Sequence, residues 1–84
     1  MSLPLEKNSH YPSITGLEIG EDVISAKMSD GRIISIPIAW FERLSSANSK
    51  QLSHFVISPS GYGIHWPEID EDISIKAFID GLSF

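Results

Sequence analysis

Leu17 and Ile19 flank Glu18 in the segment from Ile14 to Ile19, so apolar and polar positions alternate there. A period of two marks a strand with one buried face. Gly20-Glu21-Asp22 reads as a turn, and two further strands follow, Val23 to Met28 and Arg32 to Ile38. They are joined around Ser29-Asp30-Gly31. The hydrophobic pattern selects their register. A two-residue Asp30-Gly31 turn pairs Ser29 with Arg32 and sends Ile24, Ala26 and Met28 to the face opposite Ile34, Ile36 and Ile38. A three-residue loop pairs Met28 with Arg32 and gathers all six on one face. A slip of one residue exchanges buried and solvent faces, so the pattern favours the longer loop. The expected connection is a type I turn with a left-handed Gly31 that forms a bulge, the alternative being a twisted two-residue hairpin.

Pro37 has no backbone donor and is expected to end the central pairing. Beyond it, Trp40, Phe41, Leu44 and Ala47 recur at helical spacing, with Ser45-Ser46 weakening the middle. Asn48 followed by Gln51 resembles a capping box. The span from about Ile38 to Ser53 therefore reads as two short helical pieces. His54 to Ser58 and Tyr62 to Trp66 are expected to form a second hairpin across Pro59-Ser60-Gly61, with Ser58 opposite Tyr62. That register puts His54, Val56, Tyr62, Ile64 and Trp66 on one face and Phe55 and Ile57 on the other. After Pro67 comes an acidic stretch, Glu68-Ile69-Asp70-Glu71-Asp72. Ile75, Phe78, Ile79 and Leu82 then form one stripe of a short helix, with Ser74 as N-cap and Gly81 as a left-handed stop. Glu71 and Asp72 would lie at the positive end of that helix, a placement that stabilises carboxylates by a few tenths of a kcal/mol.

These elements make an α+β domain: one small antiparallel sheet of about five strands, two hairpins plus an N-terminal strand, with short helices packed on it. Residues 1–12 read as a loose leader and 13–84 as the single domain. With 84 residues there is room for one core, which buries roughly 60–65% of the unfolded surface. The chain has no cysteine to reinforce that core through a disulfide or a zinc-thiolate site. No run approaches the ~20 apolar residues of a membrane span. The first ten residues lack the pattern of a secretory signal. The expected location is the cytoplasm.

Charge narrows the partners. Six Lys and Arg stand against eleven Asp and Glu, a net charge of −5. Nucleic-acid binding relies on clustered cations, whereas Lys7, Lys27, Arg32, Arg43, Lys50 and Lys76 are scattered. Direct nucleic-acid binding is disfavoured, and a basic protein is the expected partner. No strand edge is visibly protected, so a homodimer is compatible with the sequence.

The run from Ser29 to Leu44 (SDGRIISIPIAWFERL), the Asn48–Leu52 turn, and Gly63-Ile-His-Trp-Pro-Glu-Ile-Asp-Glu-Asp-Ile-Ser74 together resemble the bacterial family known as domain of unknown function 2442. The similarity runs from about Ile14 to Gly81. It implies a compact α+β domain with one antiparallel sheet and short helices. Similar domains occur beside small toxin-like proteins or fused to a helix-turn-helix module, which implies antitoxin-like or regulatory roles. No such module is evident in these 84 residues; a direct nucleic-acid-binding regulator, which only the fused relatives suggest, is the alternative to a protein-binding module.

His65, Trp66, Glu68, Asp70, Glu71 and Asp72 are the candidate partner-binding residues. The acidic stretch admits three readings: a solvated turn leading into a helix, a surface for a basic partner, or a divalent-cation site of Glu68, Asp70 and Asp72 with His65. Cations want convergent carboxylate oxygens. This spacing matches no known cation loop, and Pro67 stiffens the path from His65 to Glu68. No metal and no cofactor is expected. Trp66 reads either as an interface anchor or as core, with His65 a surface group beside it. The Trp40-Phe41 pair reads in the same two ways, with core favoured since a chain this small needs large aromatics to fill it. His10 and His54 carry no signal. Catalysis is not expected: no serine lies in a nucleophile elbow, and Gly61-Tyr62-Gly63 falls inside a hairpin rather than in a phosphate loop.

Overall fold

The structure, a computed structural model, describes residues 11–81. The first three strands are β1 (Ile14–Ile19), β2 (Val23–Met28) and β3 (Ile33–Pro37), an antiparallel sheet in sequential order. Ala26 faces Ile34 and Ile24 faces Ile36. The ladder closes where the Met28 N–H donates to the Arg32 carbonyl at 2.8 Å. This is the three-residue loop that gathers the apolar side chains, with Gly31 at φ +96°. Asp30 accepts from the Arg32 backbone N–H at 3.1 Å and from its guanidinium at 2.8 Å. Those bonds, the backbone one foremost, hold its carboxyl below the usual carboxylate range.

β1 contains a device that alternation alone does not show. Ile14 is out of phase with Leu17 and Ile19, yet it is buried. A bulge between Ile14 and Gly16 absorbs Thr15, so Ile14 pairs with Met28 while Leu17 pairs with Ala26. All three apolar residues of the strand then reach the face that carries Ile24, Ala26 and Met28.

After Pro37 the chain makes a 3-10 turn at Ile38–Trp40, then helices α1 (Glu42–Ser45) and α2 (Ser49–Ser53). The expected two helical pieces are thus three. Asn48 opens α2 with a complete capping box: the Gln51 N–H donates to Asn48 Oδ1 at 2.8 Å and the Asn48 N–H to Gln51 Oε1 at 3.1 Å. Asn48→Ala removes the Oδ1 acceptor of the Gln51 N–H at the start of a five-residue helix and leaves the backbone donor of residue 48 in place. The expected loss is about 1 kcal/mol, measured as a lower urea midpoint with an unchanged slope. Trp40, expected in the core, is exposed; Phe41 is half-buried. In so short a turn only one of the two rings can face inward.

The second sheet is β4 (Val56–Ile57), β5 (Gly63–Trp66) and β6 (Glu71–Ser74), again antiparallel and sequential. Two expectations are corrected here. First, the hairpin register is one residue off the expected one: Ile57 faces Ile64 and Val56 faces His65, with the Ser58 N–H donating to the Gly63 carbonyl at 2.9 Å. Phe55 and Ile57 therefore join Ile64 and Trp66 on the core side, while Val56 and Tyr62 are exposed. The Ser58 hydroxyl accepts from the N–H groups of both Tyr62 and Gly63, at 3.0 and 3.1 Å, and so takes Tyr62 into the loop. Second, the single sheet of about five strands is two sheets of three. The additional strand, β6, is built from part of the acidic stretch and buries Ile73.

α3 (Ile75–Asp80) follows β6 directly. Ser74 occupies its N-cap position without a side-chain bond, and Gly81 ends it at φ +78°. Leu82, expected on the stripe of this helix, lies outside the described residues. So do residues 1–10 of the expected leader. Tyr11 departs from that expectation, since it packs against the core and donates from its hydroxyl to Asp80 Oδ2 at 3.0 Å. That bond to a carboxylate is the main cause of its raised pKa.

One core joins both sheets and the helices, with Trp66, Ile24, Leu44 and Ile64 as its largest fully buried side chains. The sheets are also tied through backbone: the Ile14 N–H donates to the Gly61 carbonyl at 2.7 Å. Among the described residues no helix is long and apolar enough to cross a membrane.

Candidate functional site

Strand alternation decides which candidate residues can meet a partner. In β5, Ile64 and Trp66 point inward, so Gly63 and His65 lie on the outer face. In β6, Glu71 and Ile73 point inward, so Asp72 and Ser74 lie outside. Pairing sets His65 opposite Asp72 and Gly63 opposite Ser74. On the other flank Val56 stands opposite His65, and Ser58 is bonded to Gly63. The outer face of this sheet is therefore a small grid with Gly63 at its centre.

The Ile75 N–H donates to the Tyr62 carbonyl at 2.8 Å. Hydrogen-bonded and non-hydrogen-bonded pairs alternate residue by residue, and His65 lies three positions from Tyr62, so His65 and Asp72 form a non-hydrogen-bonded pair, whose side chains approach closely. His65 Nδ1 lies 2.6 Å from Asp72 Oδ1 accordingly. Because Gly63 carries no side chain, an open cleft of about 350 Å³ lies over it, lined by Ser58, Tyr62, His65, Asp72 and Ser74 among others. Tyr62 is 63% exposed and Val56 55%.

The six sequence candidates separate. His65 and Asp72 come together at the cleft. Glu71 sits on the inward-pointing side of β6, half-buried opposite Trp66. Trp66 is a correction: at 0% exposure it offers no surface to a partner, and its Nε1–H donates to the Leu52 carbonyl at 2.9 Å. Burial needs that bond, because an unpaired indole N–H inside the core is costly. Glu68 pairs with His54 Nδ1, a residue that carried no signal in the sequence. Asp70 takes a left-handed conformation at φ +54°, which Asp tolerates better than most residues. Its carbonyl accepts from Arg43 Nη1 at 2.6 Å.

Two further readings are corrected by this geometry. Glu71 and Asp72 lie in a strand rather than at a helix start, because pairing with β5 claims their backbone. The cation reading required Glu68, Asp70, Asp72 and His65 to converge, and each carboxylate instead turns to a different partner. Among the described residues no group of three or more His, Cys, Asp and Glu comes together as a metal site would need. Tyr62, Val56, Ser58 and Ser74 are the site residues that sequence reasoning missed. The available signal was the lone Gly63 between residues with side chains.

The fold has solved counterparts. A crystal structure of a protein of unknown function from Rhodospirillum rubrum ATCC 11170 matches with a TM-score of 0.76 and 23% identity, covering 87% of this chain and 90% of that one. A solution NMR structure of an uncharacterised protein from Chromobacterium violaceum matches with a TM-score of 0.70 and 22% identity, covering 82% of this chain and 65% of that one. At these identities the likeness is one of fold. Comparison with the curated proteins gave no match. The family model described as "Protein of unknown function (DUF2442)" covers residues 14–83, and the chain belongs to that family.

Proposed function

We propose that this protein is a non-catalytic protein-interaction module of antitoxin-like or regulatory kind, which binds a small basic partner. The observation that carries the reading is the charge balance of the surface. The chain holds a net charge of −5, and Lys27, Arg32 and Arg43 already stand beside Glu18, Asp30 and Asp70 of their own chain. The outer face of the second sheet adds an exposed aromatic, Tyr62, and an exposed aliphatic, Val56, next to Asp72. Interfaces favour this mixture of an aromatic anchor with charge at the rim. The antitoxin-like part rests on the family resemblance, since similar domains occur beside small toxin-like proteins.

A direct nucleic-acid role would need a cationic face, and the cations of the described residues are scattered and mostly paired. The test is affinity purification of the tagged chain from its native host at low ionic strength. A basic protein in stoichiometric amount is expected, released as salt screens the attraction. Repeated recovery of the chain alone overturns the reading.

A further inference from the structure

We propose that the cleft over Gly63 receives a guanidinium group, the end of an arginine side chain carried by the basic partner; this rests on the function proposed above. The missing side chain of Gly63 opens the floor between Ser58, just past β4, and Ser74 on β6. Tyr62 forms a wall and is largely exposed, so its ring offers a face on which a planar cation stacks. Asp72 supplies the charge. His65 occupies its Oδ1, while Oδ2 has no hydrogen-bond partner among the described residues. Ser74 supplies a second acceptor: it stands at the N-cap of α3 yet makes no capping bond with its side chain.

Asp72 and Ser74 alternate on one strand, so they project to the same side roughly 7 Å apart. A guanidinium has N–H groups directed to both ends of its plane and can reach two such acceptors while its face rests on Tyr62. An ammonium, a compact point charge, gains less from this shape. No Lys or Arg lines the cleft, so its own field does not oppose a cation.

The test follows amide shifts by NMR during titration with N-acetyl-arginine amide, its neutral isostere N-acetyl-citrulline amide, and N-acetyl-lysine amide. Arginine is expected to move the amides of Tyr62, Gly63, His65, Asp72 and Ser74, lysine to bind more weakly, and citrulline to leave them unmoved. Asp72→Asn and Tyr62→Ala should each weaken the arginine response about three- to tenfold, while Glu21→Gln in the β1–β2 turn leaves it unchanged. Spectra of the variants away from the cleft report whether they remain folded. No arginine response at these amides, or an equal response to citrulline or lysine, overturns the inference. The same variants separate it from the function above. If they capture the native partner as well as the parent chain does, the module reading stands and the cleft assignment falls. If arginine binds the cleft but no partner is ever recovered, the reverse holds.

Discussion

Trp66→Ala is expected to leave the chain largely unfolded at 25 °C. The indole is fully buried where β5 meets α2 and packs against Phe55, with ring centroids 6.3 Å apart. Deleting a buried aromatic costs about 3–5 kcal/mol through lost burial and the cavity left behind. The total stability of a domain this size is on the order of 5 kcal/mol, so the loss is comparable with the whole. Part of it is polar, because the Leu52 carbonyl loses the donor it has at 2.9 Å. Trp66→Phe isolates that part: it keeps most of the apolar surface and should cost about 2 kcal/mol. Urea denaturation followed by far-UV circular dichroism measures both. A Trp66→Ala protein with a midpoint near that of the parent would show that the ring is not the keystone of this core.

Gly61→Ala is expected to be the next most damaging change, although it adds a single methyl group. Gly61 adopts φ +74°, and a Cβ there would lie 2.8 Å from both the Ile14 carbonyl oxygen and the Ser13 Cβ. The crowding atoms belong mainly to backbone, which must shift rather than rotate away. That backbone also joins the two sheets through the bond from the Ile14 N–H to the Gly61 carbonyl. The expected cost is about 2–3 kcal/mol, of which about 1 kcal/mol is the left-handed conformation itself. Gly31→Ala provides the comparison. Gly31 also has positive φ, at +96°, but nothing lies within 4 Å of a Cβ built there. It should lose only the conformational part, about 1 kcal/mol. Equal losses at the two sites, read from their denaturation midpoints, would remove the close approach of the sheets as the cause.

The contrast between the two hairpins explains how much of the fold was legible. In the first, Ser25 and Lys27 separate Ile24, Ala26 and Met28, Ser35 and Pro37 separate Ile34, Ile36 and Ile38, and only one register buries both sets. In the second, Phe55, Val56 and Ile57 are apolar in succession. Either register then buries something, and the pattern does not choose between them. The Ser58 hydroxyl chooses, by accepting from both the Tyr62 and Gly63 N–H groups. A side chain bonding to backbone across a loop leaves no trace in periodicity. β6 was hidden for a related reason. Glu71-Asp72-Ile73-Ser74 has low intrinsic strand preference, and it becomes a strand because β5 supplies a pairing partner and the core accepts Ile73.

The candidate site shows the same division. Sequence singled out His65 and Asp72 but grouped them with Trp66, Glu68, Asp70 and Glu71, because neighbours in sequence were treated as neighbours in space. Alternation along β5 and β6 sends Trp66 and Glu71 inward, the turn before β6 sends Glu68 to His54 and Asp70 to Arg43, and only His65 and Asp72 remain at the cleft. By itself the sequence determined the first hairpin and its left-handed Gly31, the capping box at Asn48, the acidic balance and the family, all consequences of local chemistry or of regular spacing. The tertiary structure decided the division into two sheets, the bulge that turns Ile14 inward, the burial of Trp66 and the cleft over Gly63. Each of these depends on which segment lies alongside which, and pairing between strands is settled by the packed chain as a whole.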